Sequence, residues 1–177
     1  NTMVNDSGAS LSYYHGPASC LAAAHRLSQA FGISAPWMRD YYDRFLTTVE
    51  SITPDDIKPG ALLDVMEGPA GLIIALRHHR DTRIRKLCHR LGLLLTDAAS
   101  EGWGSKKVCA LSRNASFAHD AGGMGTAVLI AAEMGSNPDM VDSWRAAWEF
   151  ENTFKLEEGW NDTRSPGNNH STQWCHG

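Results

Sequence analysis

The sequence has no basic surplus. Sixteen Lys and Arg stand against 20 Asp and Glu, for a net charge of −4, so it carries no electrostatic footprint for nucleic acid or an anionic membrane. It also lacks any long apolar run: nothing approaches the ~20 residues a membrane helix needs, and the first residues do not form a signal peptide. Cysteine is sparse, four in 177 residues, which argues against a disulfide scaffold. Convincing strand alternation is missing throughout. The densest basic stretch, Arg77 to Arg90, is interleaved with Ile84 and Leu87 and reads as the solvated face of a helix. Four N-x-S/T triplets, at Asn5, Asn114, Asn161 and Asn169, would matter only in a secreted chain. The expectation is a soluble, cytoplasmic, all-α protein whose partners include neither nucleic acid nor membrane.

What is present is a repeat. The segments "HGPASCLAAAHRL", "EGPAGLIIALRHH" and "HDAGGMGTAVLIA" align, with Gly16, Gly68 and Asp120 at intervals of 52 and 52. Ser19, Gly71 and Gly123 follow in register, then Ala23, Ala75 and Ala127. Self-similarity at such a period marks a repeated supersecondary unit. Each unit reads as two helices. The first is rich in Gly and Ala (Ala18 to Ala30, Ala70 to Leu76, Ala121 to Met134); the second is bulkier and amphipathic. In "PWMRDYYDRFLTTV", Trp37, Tyr41, Tyr42, Phe45, Leu46 and Val49 recur with the helical period, and Pro36 suits a first turn. Small residues let backbones approach closely, so the Gly/Ala helices are expected to form an inner layer and the bulky ones an outer layer. If the inner helices run parallel, the loops entering them open at one end. Asp64, His119 and the pair Trp174-Cys175 each precede an inner helix and are expected to converge there, where helix N-termini favour anions and a thiolate.

The segments "LLDVMEGPAGLIIAL", "SFAHDAGGMGTAVLIAAEMG" and "FENTFKLEEGWNDTRSPGNNHSTQWCHG" resemble the lanthionine synthetase C-like family, in particular the C-terminal cyclase domain of class II lanthipeptide synthetases, the LanM enzymes. The resemblance covers essentially the whole chain. It implies an α/α toroid of inner and outer helices, with residues 1–177 a partial cyclase domain of about three hairpin repeats and the start of a fourth. It implies a zinc-dependent enzyme that adds peptide cysteine thiols to dehydroalanine or dehydrobutyrine, forming thioether rings in a dehydrated precursor peptide. It makes Cys175 a zinc ligand, with the remaining ligands beyond residue 177, and it sets Asp64 and His119 near the reacting peptide. A dehydratase domain is expected in the intact protein, of which this chain is read as a fragment.

The chemistry suits these roles. Zinc coordination deprotonates a thiol, and the enolate formed by its addition needs a proton that an imidazole can deliver; His119 is the candidate general acid. Asp64 is read as orienting an imidazole or a peptide amide, or simply as capping a helix. Trp174 is either a wall of the site or a core residue. Asp120 stands where the family motif has Gly, a costly exchange if the turn needs φ > 0. Cys20 and Cys88, on apolar helical faces, read as buried and inert; His25, His78, His79 and His89 read as solvated. Two other readings stay open: a non-catalytic helical-repeat module that binds peptide, and a eukaryotic-type relative that uses glutathione as its thiol.

Overall fold

The structure, a computed structural model, describes residues 17–32, 36–51, 62–105, 108, 116–157, 159–161 and 170–171. Six α-helices form three successive hairpins: α1 (Pro17–Phe31) with α2 (Pro36–Glu50), α3 (Pro69–Leu76) with α4 (Thr82–Ala98), and α5 (Ala121–Gly135) with α6 (Asp139–Asn152). Pro17, Pro69 and Ala121 are the first residues of α1, α3 and α5, so the 52-residue register of the sequence is also the register of the helix starts. Proline is suited to that position because its missing N–H has no acceptor within the first turn. The fold is all-α, as expected.

Two layers result. α1 touches α3 and α3 touches α5, while α2 touches α4 and α4 touches α6. Helix α3 is apolar on nearly every side, and Pro69, Ala70, Gly71, Leu72, Ile73 and Leu76 are all buried, the pattern of a helix enclosed by neighbours. Helix α4 buries one stripe, Ile84, Leu87, Cys88, Leu91 and Leu95, spaced by three and four residues, and leaves its charged side to solvent. Asp81 caps α4 by accepting from the Arg83 N–H at 2.8 Å. Burial dominates the energetics: each fully enclosed Leu or Ile contributes roughly 1.5–3 kcal/mol, whereas the solvent-facing Arg83–Asp43 ion pair between α4 and α2 adds little.

The small residues act mainly between the layers. A Cβ on Gly92 of α4 would overlap the Ala131 side chain of α5, and one on Gly125 of α5 would lie 2.5 Å from Ala147 Cβ of α6. Glycine is therefore what lets α4 and α6 close onto α5.

Three expectations need correction. A small antiparallel sheet follows α6: β1 (Lys155–Leu156), β2 (Gly159–Asn161) and β3 (His170–Ser171), in the order β1-β2-β3. Strands of two or three residues are too short for alternation to register in a sequence. Cys20 is exposed, while Cys88 is buried as expected. Trp37 and Tyr41 are exposed although Phe45 and Leu46 on the same helix are in the core. Both departures have one cause: among the described helices, α1 and α2 are the edge hairpin, with neighbours on one side only. No helix among the described residues is long and apolar enough to cross a membrane.

Candidate functional site

Two loops build the site, one entering α3 and the other entering α5. In the first, Asp64 is 3% exposed. Its Oδ1 accepts the Glu67 N–H at 2.7 Å, and its carbonyl accepts the Gly68 N–H at 3.1 Å. The turn is so tight that a Cβ on Gly68 would overlap Leu62 O and the Leu63 carbonyl carbon.

In the second loop, Ser116 Oγ accepts the His119 N–H at 3.0 Å. Asp120 precedes α5 with φ −127° and ψ −165°, almost the backbone of Gly68 at φ −121° and ψ −173°. This is extended backbone that any residue adopts, so the expected φ penalty at Asp120 is absent. The tight point of this turn is Gly123, where a Cβ would overlap Phe117 O and press on Val65 Cγ2.

The loops are tied together. The Val65 N–H donates to Ala118 O at 3.0 Å, which sets the starts of α3 and α5 side by side. One residue either side of that bond, His119 Nδ1 meets Asp64 Oδ2 at 2.8 Å. The Asp64 side chain is 4% exposed and that of His119 29%. An ionised carboxylate only accepts, so Nδ1 facing Asp64 carries the hydrogen, and Nε2 is the ring nitrogen outside this bond. Of the sequence readings of Asp64, the contact with an imidazole is the one seen: one oxygen closes its own turn and the other meets His119, while the N-cap of α3, Gly68, takes no side-chain hydrogen bond.

The expected convergence therefore holds for Asp64 and His119. Trp174 and Cys175 lie outside the described residues, as do His15, Cys109, Arg164 and His176. Trp160 is half-buried on β2 and pairs in register with Ser171 on β3. Among the described residues, no group of three or more His, Cys, Asp or Glu side chains is placed to hold a metal ion.

Sequence reasoning missed Glu151. It lies on α6, is 6% exposed, and its Oε1 accepts the Gly122 N–H at 2.5 Å. Burial pushes its carboxyl up to about 7, helped by the charge of Asp120 and opposed by the Gly122 and Ser116 N–H groups. A signal existed: Met140, Ala147 and Glu151 form the buried face of α6, and an acid on an apolar stripe needs a partner.

The histidines expected in solvent are mostly not there. His25, His79 and His89 are half-buried; His78 is exposed. His25 and His79 stack with ring centroids 3.8 Å apart, and Tyr42 stacks on His79 at 5.2 Å. They line a cleft of about 710 Å³ between α1, α2 and the segment joining α3 to α4. Burial, then the neighbouring His25, pushes His79 down to about 4. Burial also holds Tyr42 well above the usual phenol range. The cleft borders the C-terminal side of α3, the far end of that helix from Asp64.

Comparison with known proteins follows the same line as the geometry. The family model for lanthionine synthetase C-like proteins matches residues 1–177. A relative, the lacticin 481/lactococcin biosynthesis protein LcnDR2 of Lactococcus lactis subsp. lactis, is 29% identical over 128 residues, covering 72% of this chain and 12% of that protein. The chain thus corresponds to a small part of the relative's length. No solved structure matches the chain. Matched from its first residue to its last, the chain belongs to the lanthionine synthetase C-like family.

Proposed function

We propose that this chain is part of a lanthipeptide cyclase domain that joins cysteine thiols of a dehydrated precursor peptide to dehydroalanine or dehydrobutyrine. The supporting observation is the Asp64–His119 pair at the head of α3 and α5, in a chain matched along its length by this family. The peptide sulfur attacks the β-carbon, a C–S bond forms, and the π electrons of the alkene move to the α-carbon and its carbonyl as an enolate. His119 Nε2 then delivers a proton to the α-carbon, and the proton that left the thiol restores the imidazolium. Asp64 holds the ring by Nδ1 and stabilises its charged form. Rate factors of about 10²–10⁴ are typical of such proton transfer.

Zn²⁺ is the proposed cofactor, with Cys175 as one ligand and the others supplied from beyond residue 177. Bound zinc would supply a thiolate at neutral pH. Trp174 is the proposed wall of the peptide site. A dehydratase domain in the intact protein would supply the dehydrated substrate, and the location is proposed to be the cytoplasm. The test is to give the intact protein a dehydrated peptide and follow loss of peptide thiols by mass spectrometry, with and without glutathione. Intramolecular loss of thiols supports the cyclase; incorporation of glutathione replaces it with the glutathione-using relative, and no reaction leaves a peptide-binding module. In Cys175→Ala, zinc and ring formation are expected to fall together; unchanged zinc content would remove Cys175 from the ligand set.

A further inference from the structure

We infer that Glu151 is a positioning residue for His119, acting across the layers from α6 by holding both ends of the loop that carries the imidazole. The inference rests on the reading of His119 as proton donor. The loop runs from Ser116 to Gly122. Glu151 Oε1 accepts the Gly122 N–H at its far end, and the Ser116 N–H at its near end also bonds to the Glu151 carboxylate. Ser116 in turn takes the His119 N–H on its hydroxyl oxygen. One buried carboxylate thus closes the loop, which is also anchored by the Val65–Ala118 bond and by Asp64.

The neighbourhood is fitted to that carboxylate. A Cβ on Gly122 would stand 3.2 Å from Glu151 Oε1 and 3.4 Å from Ser116 O, so glycine there leaves room for the acid to reach the backbone. The start of α5 favours an anion at this spot. Asp120, 1% exposed, acts on Glu151 from the first residue before α5, and it is the charged group whose field opposes ionisation of Glu151. Burial and Asp120 set the carboxyl to change state at about 7. Above that pH the Glu151 carboxylate only accepts; below it one oxygen carries a hydrogen, and its hold on the two N–H groups weakens.

The test compares Glu151→Gln with the unaltered sequence in the intact protein. The amide removes the charge and one of the two acceptor oxygens that face the N–H groups. Exchange of the Ser116 and Gly122 amide hydrogens is expected to quicken about tenfold. Turnover should fall about tenfold with KM for the peptide unchanged, and a step near pH 7 in the pH–rate profile should disappear. Unchanged exchange with an unchanged profile overturns the inference, as does slower turnover with unchanged exchange. If Glu151→Gln does not fold, Gly122→Ala pushes on the same carboxylate from the other side; faster exchange at Ser116 supports the inference, and protection equal to the parent overturns it. Full activity in His119→Ala would strike the proton-donor reading, and the exchange data on Glu151 would identify that failure as separate.

Discussion

Two histidine sites lie at opposite ends of helix α3, and their rings have different partners. At the N-terminal end, His119 is held through Nδ1 by one buried carboxylate, Asp64, with its side chain 29% exposed. At the far end, His79 has imidazole and phenol rings against its faces, and burial followed by His25 drives its pKa down to about 4. A carboxylate partner suits a ring that must gain and lose charge. Stacking between half-buried aromatic rings suits one that stays neutral and serves as packing. The lesson is that the chemistry of a histidine here follows from its partners and position on the helix, and the residue type alone does not assign it.

The comparison is broken most directly by deleting one ring from each cluster. In the intact protein, His119→Ala is expected to slow cyclisation by about 10²–10⁴ while zinc is retained. His79→Phe, which preserves a stacked ring, is expected to leave the rate unchanged. Equal rates for His119→Ala and the parent, measured as loss of peptide thiol, would remove the distinction.

Asp64→Asn sharpens the comparison by changing only the partner. The amide oxygen still closes the turn onto the Glu67 N–H, but the carboxylate that accepts from His119 Nδ1 is gone. A loss of about 10–100-fold is expected, with normal folding by circular dichroism; an undiminished rate would reduce Asp64 to its structural role.

Gly123→Ala tests whether geometry alone holds the pair. The added methyl overlaps backbone at Phe117, which cannot rotate away as a side chain would, and a cost of about 1–3 kcal/mol is expected. Thermal unfolding of the variant within error of the parent would show that the second loop has more room than its packing indicates.

The smallest effect concerns pH at the far cluster. His79 has its folded pKa lowered from 6.5 to about 4, so the unfolded chain binds more protons between those values. Its contribution to stability is present above about 6.5 and lost as pH falls toward about 4. The His79 ring should therefore titrate near 4 by NMR; a midpoint near 6.5 would show the ring to be solvated, as the sequence alone suggested.

How much was legible follows from the range of each signal. The helix starts near Pro36, Ala70 and Ala121 were legible from a Pro in a first turn and from a Gly/Ala register repeating at 52 residues. Asp64 and His119 were legible as candidates because each stands a few residues before an inner helix. Their bond was not, since it spans 55 residues and depends on the two entry loops being tied together at Val65 and Ala118. Glu151 was harder still: it lies in an outer helix, 32 residues after the histidine whose loop it holds, and its only mark is a carboxylate on an apolar stripe.

By itself, then, the sequence determined the all-α class, the two-helix unit and the ends at which reactive residues gather, because hydrophobic period and turn chemistry act within a few residues of themselves. The tertiary structure alone decided that Asp64 meets an imidazole, that Cys20 faces solvent, and that His79 is packed and Glu151 enclosed. Those outcomes depend on which layer covers which face, and burial and hydrogen-bond partners are set only when the layers meet.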